Sequence, residues 1–302
     1  MQATVIINPK SGVHTARDSP TCRIELASRI LERHGIASEV YVTEGPDHAY
    51  EIARTAVTDG ASIVFAWGGD GTVNEVGRAL AFQDASLAII PAGSGNGFAR
   101  EFGISRKPEV AIESALAGTV KAIDVGDIND RLFFNVAGIG FDAHIASLFG
   151  SGASKRRGFR SYARLGISEL CRYQCHGYRI SVDSEIIESK ALLVAIANSR
   201  QWGNGAQVAP LATIDDGLLD LVIVEDRSVA RRFSAAPRLF RGTILQAPGI
   251  HHRKTASLKI SGAEPMLFHV DGEPKGTATE LTVRIHGKAL KVRIPCLRPN
   301  YP

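Results

Sequence analysis

Over the first 120 residues, short apolar runs alternate with stretches of helical periodicity. The runs Thr4–Ile7, Glu39–Thr43, Ser62–Ala66 and Leu87–Ile90 have the length and β-branched content of strands. Between them apolar residues recur at helical spacing over 22–34, 47–59 and 72–82, with further helical segments near 97–102 and 108–117. Gly35 and Gly60 stand where helices should stop, because glycine enters the left-handed cap conformation without a Cβ penalty. Strands alternating with helices of this length predict a parallel, doubly wound, Rossmann-like α/β sheet. Such sheets bind ligands beyond the carboxyl ends of their strands, which is where this chain collects glycines and polar residues.

After Asp124 the pattern changes. Short strand-like runs predominate at 131–137, 177–183, 191–197, 218–224, 255–261, 266–270, 279–286 and 290–294. Helical interruptions fall near 142–149, 159–172 and 228–241. This predicts a mostly antiparallel, β-rich second domain, a sandwich or barrel. The expected division is an α/β domain over 1–126 and a β-rich domain over 127–289. Gly150-Ser151-Gly152-Ala153-Ser154-Lys155 reads as a flexible loop.

Composition narrows the class. A chain of 302 residues, 44% apolar and 22% charged, has the make-up of a globular protein of one large or two ordinary domains, not of a disordered one. The longest apolar stretch, Ala191–Ala197, has seven residues, whereas a spanning helix needs roughly 20. Met1–Pro9 has no basic start, long apolar core or cleavage site, so it predicts a first strand and a cytoplasmic protein. Cys22, Cys171, Cys175 and Cys296 are too few for a disulfide framework. Cys171, Cys175 and His176 lack the further ligands a zinc site would want.

Charge is unevenly spread. Residues 1–126 carry 11 Lys/Arg against 15 Asp/Glu, net −4, whereas 127–302 carry 24 against 16, net +8. Arg227, Arg231, Arg232, Arg238, Arg241, Arg253, Lys254 and Lys259 form one acid-free run, and Lys155, Arg156, Arg157, Arg160 and Arg164 another. Solvated faces would account for either run alone; together they suggest a second domain facing an anionic partner. Aromatic residues at 7% provide no stacking platform for bases, so nucleic acid is the poorer fit and anionic lipid the better one.

The strongest chemical signal is Gly68-Gly69-Asp70-Gly71-Thr72-Val73-Asn74-Glu75, after one predicted strand and opening a helix. Glycines let backbone N–H groups approach phosphate oxygens, and a helix N-terminus favours negative charge. An acid inside such a loop would repel phosphate unless a divalent cation lay between, so Asp70 implies Mg²⁺. Pro91-Ala92-Gly93-Ser94-Gly95-Asn96-Gly97 repeats the arrangement after the next strand, and Asn8-Pro9-Lys10-Ser11-Gly12 follows the first. Each loop alone is weak evidence, since strand–helix junctions often need glycine; three on neighbouring strand ends are much stronger. The Gly-Lys-Ser/Thr ending of a P-loop is absent.

Asn8–Gly12, Gly68–Glu75, Pro91–Asn96 and Val270-Asp271-Gly272-Glu273-Pro274 resemble, in that order, the diacylglycerol kinase catalytic family, which includes bacterial lipid kinases, sphingosine kinases and ceramide kinases. The resemblance covers nearly the whole chain. It implies ATP against Asn8, Lys10, Thr43, Gly68, Gly69, Asp70, Gly71, Thr72, Val73, Asn74 and Ser94, in a cleft between the two domains. It implies Glu273 as the general base toward a lipid hydroxyl, and Asp70 and Asp124 in a magnesium network. Thr213-Ile214-Asp215-Asp216-Gly217-Leu218 resembles the family's separate structural Mg²⁺ loop, with the Asp216 side chain and the Thr213 and Leu218 carbonyls as ligands. The tail 290–302 would return to the first domain.

Read from the residues alone, Asp124 could cap a turn, Asp215-Asp216-Gly217 could be a hairpin turn and Gly272 could bend a strand. Many diacylglycerol kinase relatives carry Thr and a following Asn-Asp in the second loop; this chain has Ser94 and Asn96-Gly97, closer to the sphingosine kinase version. The expected function is an ATP-dependent, peripherally membrane-associated lipid kinase acting on diacylglycerol or a related lipid. Sphingoid-base or ceramide kinase, NAD kinase and a non-catalytic lipid or nucleotide sensor are the alternatives, and a homodimer stays open.

Overall fold

The computed structural model describes residues 1–12, 18–150 and 159–296. Contacts divide the chain into two compact units, Met1–Ile123 with Lys288–Pro302, and Asp124–Gly287. The elements of the first unit, in chain order, are β1 (Gln2–Ile7), α1 (Pro20–Arg33), β2 (Ala37–Val42), α2 (His48–Thr58), β3 (Ile63–Gly68), α3 (Asp70–Leu80), β4 (Ser86–Pro91), α4 (Gly97–Glu101) and α5 (Pro108–Ala117). The chain continues through β5 (Thr119–Ile128), β6 (Arg131–Phe133), β7 (Val136–Gly140), α6 (Phe141–Gly150), α7 (Phe159–Arg172), β8 (His176–Val182), β9 (Glu185–Ala197), β10 (Gln201–Gly203) and β11 (Ala206–Gln207). It ends with β12 (Leu219–Glu225), α8 (Val229–Arg241), β13 (Ile250–Thr255), β14 (Ser257–Val270) and β15 (Glu273–Ile294).

In the first unit the strands run β2-β1-β3-β4, all parallel, and the end of β15 adds beside β4 through Lys291 opposite Ser86 and Val292 opposite Leu87. All six residues of β3 and of β4 are buried, as expected of strands covered on both faces. Helix α1 shows how the sequence builds such cover. Ser19 caps it by accepting the Cys22 N–H, Pro20 opens it, and Arg23, Ala27, Ile30 and Leu31 form its buried stripe.

The second unit is antiparallel, ordered β13-β12-β9-β7-β14-β15. Strands β9 and β14 are long, and each pairs with β7 over one part and β8 over another, so the two belong to both layers of a sandwich. Between the layers lies a core that includes Phe133, Ile139, Ile180, Val194, Ile196, Leu221, Ile260, Phe268, Leu281 and Val283.

The differences from the predicted elements have local causes. The run 131–137 is broken at Phe134-Asn135, giving β6 and β7. β5 was not anticipated because its first residues are half-exposed or exposed and Lys121, Asp124 and Asp127 interrupt its apolar positions. β13 was missed because it is an edge strand pairing only with β12, and its His251-His252-Arg253-Lys254 has no apolar alternation. The predicted pairs 255–261 with 266–270 and 279–286 with 290–294 are each one strand; β14 keeps its continuity through an irregularity between Ser261 and Met266. Residues 151–155 of the predicted flexible loop and the basic residues Lys155, Arg156 and Arg157 lie outside the described residues, as do the side chains of Arg160 and Arg164. All four cysteines are free.

Candidate active site

Three loops converge at the carboxyl ends of β1, β3 and β4. Asn8, just past β1, donates its backbone N–H to the Trp67 carbonyl (2.9 Å) and its Nδ2–H to Thr72 Oγ1 (2.9 Å), while its Oδ1 accepts the Lys10 N–H (2.9 Å). One asparagine thus ties the first loop to the glycine loop after β3. A Cβ on Gly68 would lie 2.4 Å from Thr72 Oγ1, so only glycine fits where the strand turns into α3. Thr43, past the end of β2, is buried and donates its N–H to the Ile7 carbonyl (2.9 Å).

The loop after β4 packs directly on the one after β3. Ala92 donates its N–H to the Gly68 carbonyl (2.8 Å), and a Cβ on Gly93 would lie 2.7 Å from Gly69 Cα. Asn96, in the left-handed conformation, closes this loop by accepting the Gly93 N–H (2.8 Å) and donating to the Gly93 carbonyl (2.7 Å). Asp70 lies against it: a Cβ on Gly95 would come within 2.9 Å of Asp70 Oδ2, and the Phe98 N–H approaches Asp70 Oδ1 at 3.5 Å. Lys10 and Ser94 are exposed. Thr72, Val73 and Asn74 are buried, and the Val73 N–H is already given to the Gly69 carbonyl (3.1 Å), so these residues build the loop from within.

The sequence reading overlooked Arg23. Its side chain is 4% exposed and makes a two-bond pair with Asp18 (2.8 and 2.9 Å). It also donates to the Asn8 carbonyl (3.1 Å) and the Ser11 carbonyl (2.6 Å), with its guanidinium 5.6 Å from the Trp67 ring centre. Arg23 therefore clamps the loop that presents Asn8 and Lys10. The sequence marks the position, an arginine in the apolar stripe of α1 four residues before Ala27, but not its partners.

In the second unit Glu273 is the first residue of β15, after a two-residue turn in which Asp271 (φ 47°) and Gly272 (φ 83°) are both left-handed. Asp-Gly at those positions is the signature of a tight hairpin, so the turn was legible in the sequence. The Glu273 side chain is 48% exposed and pairs with Lys275 Nζ at 2.9 Å. The Asp271 carboxylate accepts the N–H groups of Phe134 (3.0 Å), Asn135 (2.8 Å) and Val136 (3.1 Å).

The structure also brings Asp124 together with the 213–218 loop. Asp124 is 1% exposed, donates its N–H to the Ile214 carbonyl (2.9 Å) and accepts the Gly217 N–H at Oδ2 (2.6 Å). Asp216 Oδ1 accepts the Leu218 N–H (3.1 Å) and its Oδ2 accepts from Lys254 Nζ (2.5 Å). That pairing raises the Lys254 ammonium above its ordinary pKa. Lys254 also approaches buried Asp220 (4.0 Å), whose carboxyl is pushed up by burial.

Magnesium fits these residues by donor chemistry. Among the described residues no three of His, Cys, Asp and Glu converge as a metal cluster. The candidates are the single carboxylates of Asp70, Asp124 and Asp216, hard oxygen donors of the kind that suits a cation keeping waters and phosphate oxygens in its shell.

Residues 2–128 match the family described as the diacylglycerol kinase catalytic domain, and 135–294 match the YegS C-terminal NAD kinase beta sandwich-like domain. A diacylglycerol kinase of Staphylococcus saprophyticus subsp. saprophyticus is 30% identical over 278 residues, covering 91% of this chain and 90% of that one. A Pseudomonas aeruginosa protein named "Probable lipid kinase YegS-like" is 32% identical over 270 residues, 86% of this chain and 85% of its own. A crystal structure of a diacylglycerol kinase from Bacillus anthracis str. Sterne superposes with a TM-score of 0.74 at 20% identity, covering 98% of this chain and 97% of that one, which shows the shared fold.

Proposed function

The chain belongs to the diacylglycerol kinase family, and from that premise we propose that it transfers the γ-phosphate of ATP to a lipid hydroxyl, with diacylglycerol as the first candidate acceptor. The observation that carries the ATP reading is the close approach of the two glycine loops at Gly69 and Gly93, with Asp70 against the second loop. The loops after β1, β3 and β4 hold the nucleotide, Lys10 meeting the phosphates as a point charge and Ser94 offering a hydroxyl. Mg²⁺, when bound through Asp70, neutralises charge between the phosphates and that carboxylate. Glu273 takes the proton of the acceptor hydroxyl as its oxygen attacks the γ-phosphorus and the bond to the β-phosphate breaks.

Asp124, through its bond to Gly217, holds the 213–218 loop in shape, and that loop offers Asp216 and the carbonyls of Thr213 and Leu218 to a second, structural Mg²⁺. A Tm that does not respond to Mg²⁺, even in Lys254→Ala, would remove that second site. The lipid-facing unit also meets an anionic membrane surface. Helix α8 supports this: none of its residues is buried, it has arginines and no acids, and it exposes Val229 and Phe240 beside Arg231 and Arg241. No helix among the described residues is long and apolar enough to cross a membrane. Equal sedimentation with neutral and anionic vesicles would count against the membrane surface.

The deciding experiment is transfer from labelled ATP to dispersed diacylglycerol, monoacylglycerol, a sphingoid base, ceramide and phosphatidylglycerol, with NAD as the soluble control. Label on diacylglycerol is expected. Label on a sphingolipid alone changes the acceptor, label on NAD alone overturns the lipid reading, and label on none of them favours a non-catalytic sensor.

A further inference from the structure

The turn that carries Glu273 rests on a buried pair with no part in the chemistry described so far. His269 and Asp142 are 2% and 3% exposed, with His269 Nε2 3.0 Å from Asp142 Oδ2. His269 Nδ1 accepts the N–H of Gly272 at 3.2 Å. A backbone N–H can only donate, so Nδ1 must carry the lone pair and the ring proton sits on Nε2, donated to the carboxylate. Asp142, at the start of α6, gives its other oxygen to the Ala143 N–H (2.8 Å).

The surroundings keep room for this arrangement. Gly138 faces His269 across the β7–β14 pairing, and a Cβ there would lie 2.2 Å from Asp142 Oδ2 and 2.9 Å from His269 Nε2. A buried carboxylate hydrogen-bonded to an imidazole is a poor way to gain packing, because removing its charge from water costs several kcal/mol that apolar residues avoid. The bond it does make is specific: it fixes the orientation of the peptide between Gly272 and its neighbour, one residue before Glu273. Asp271 holds the other side of the same turn through its three N–H acceptances.

We propose that His269 and Asp142 are positioning residues for the phosphoryl transfer, Asp142 fixing the imidazole tautomer and His269 fixing the turn that aims Glu273. The inference rests on Glu273 being the acceptor base. Its test compares His269→Asn, His269→Gln, Asp142→Asn and Glu273→Gln by kcat, KM for ATP and Tm. In His269→Asn the amide oxygen stands near the position of Nδ1 and still accepts the Gly272 N–H. In His269→Gln the longer side chain reaches Asp142 and leaves that N–H unpaired. In Asp142→Asn a donor opposes a donor.

His269→Gln and Asp142→Asn should lose about tenfold or more in kcat at unchanged KM for ATP, as misplacement of a reacting group does, and His269→Asn should restore most of the loss. Equal kcat in His269→Gln and the wild type, beside an inactive Glu273→Gln, would overturn the inference alone; an active Glu273→Gln would remove the base and the inference together. Equal losses in His269→Asn and His269→Gln that track Tm would reduce the pair to a structural role. If the variants do not fold, the ¹⁵N shifts of His269 in the wild-type protein decide it: protonated Nε2 with acceptor Nδ1 is expected, and protonated Nδ1 contradicts it.

Discussion

Replacing Arg23 with Met should loosen the loop that presents Asn8 and Lys10 while keeping most of the side chain's packing. Four donor contacts disappear, two to the Asp18 carboxylate and one each to the carbonyls of Asn8 and Ser11. Asp18 is 31% exposed and can take up water when its partner goes, so its loss is small. The two carbonyl bonds are the larger part, because each involves a charged donor worth about 1.5–3 kcal/mol net. The Met side chain keeps the apolar stem in place of the arginine's. A destabilisation of about 3 kcal/mol follows, near the lower end for breaking a buried pair. For a unit of this size that lowers Tm by roughly 6–12 °C. The KM for ATP should rise at the same time, because Lys10 is aimed by Asn8 and Asn8 is held by Arg23. Thermal melts with and without ATP, together with initial rates against ATP, measure both effects. A Tm lowered by less than about 2 °C with an unchanged KM would refute the clamp.

Two further outcomes follow from the same reasoning. Gly93→Ala drives a Cβ to 2.7 Å from Gly69 Cα, a backbone atom that cannot swing away, so ATP affinity should fall and stability should drop by about 1–3 kcal/mol. Gly177→Ala, with no atom within 4 Å of the new Cβ, is the neutral control, and equal effects from the two would contradict the loop packing. Asp226 is held down to about 2 by hydrogen bonds from Lys190 and Arg232. Its folded pKa is depressed, so its contribution is present above the ordinary carboxyl range and fades as pH falls toward 2, and it amounts to at most about 2 kcal/mol before solvent screening reduces it. The stability gap between wild type and Asp226→Asn should therefore shrink by about half between pH 6 and pH 3, and a gap that is constant or widens on acidification would show that the pairing is not its source.

The parts of this fold that were legible are those encoded locally. Strands β1 to β4 announce themselves by β-branched runs, and their helices by apolar periodicity and by glycine stops such as Gly35. The glycine loops were readable for the same reason, since a residue without a Cβ at a strand–helix junction signals close backbone approach. What the sequence could not carry is pairing between distant segments. Nothing local in Lys291–Val292 says that they add to β4, and nothing in His251–Lys254 marks an edge strand whose partner is β12. Arg23, His269 and Asp142 were missed for a related reason. Each is a polar residue whose use depends on partners brought together by folding, Asn8 and Ser11 for the first and each other for the pair. The Asp124 contact with Gly217 is likewise invisible along the chain, although both residues stood out singly.

If Glu273 serves as the base for phosphoryl transfer from ATP held by the glycine loops, its loss falls on transfer and not on ATP binding. The most direct measurement compares Glu273→Gln with the wild type in transfer of labelled phosphate to the accepting lipid, alongside ATP affinity measured by calorimetry. Transfer should fall by about a hundredfold or more, while ATP affinity and Tm stay at the wild-type level. Undiminished transfer by Glu273→Gln, with the label still arriving on the same lipid, would contradict that role.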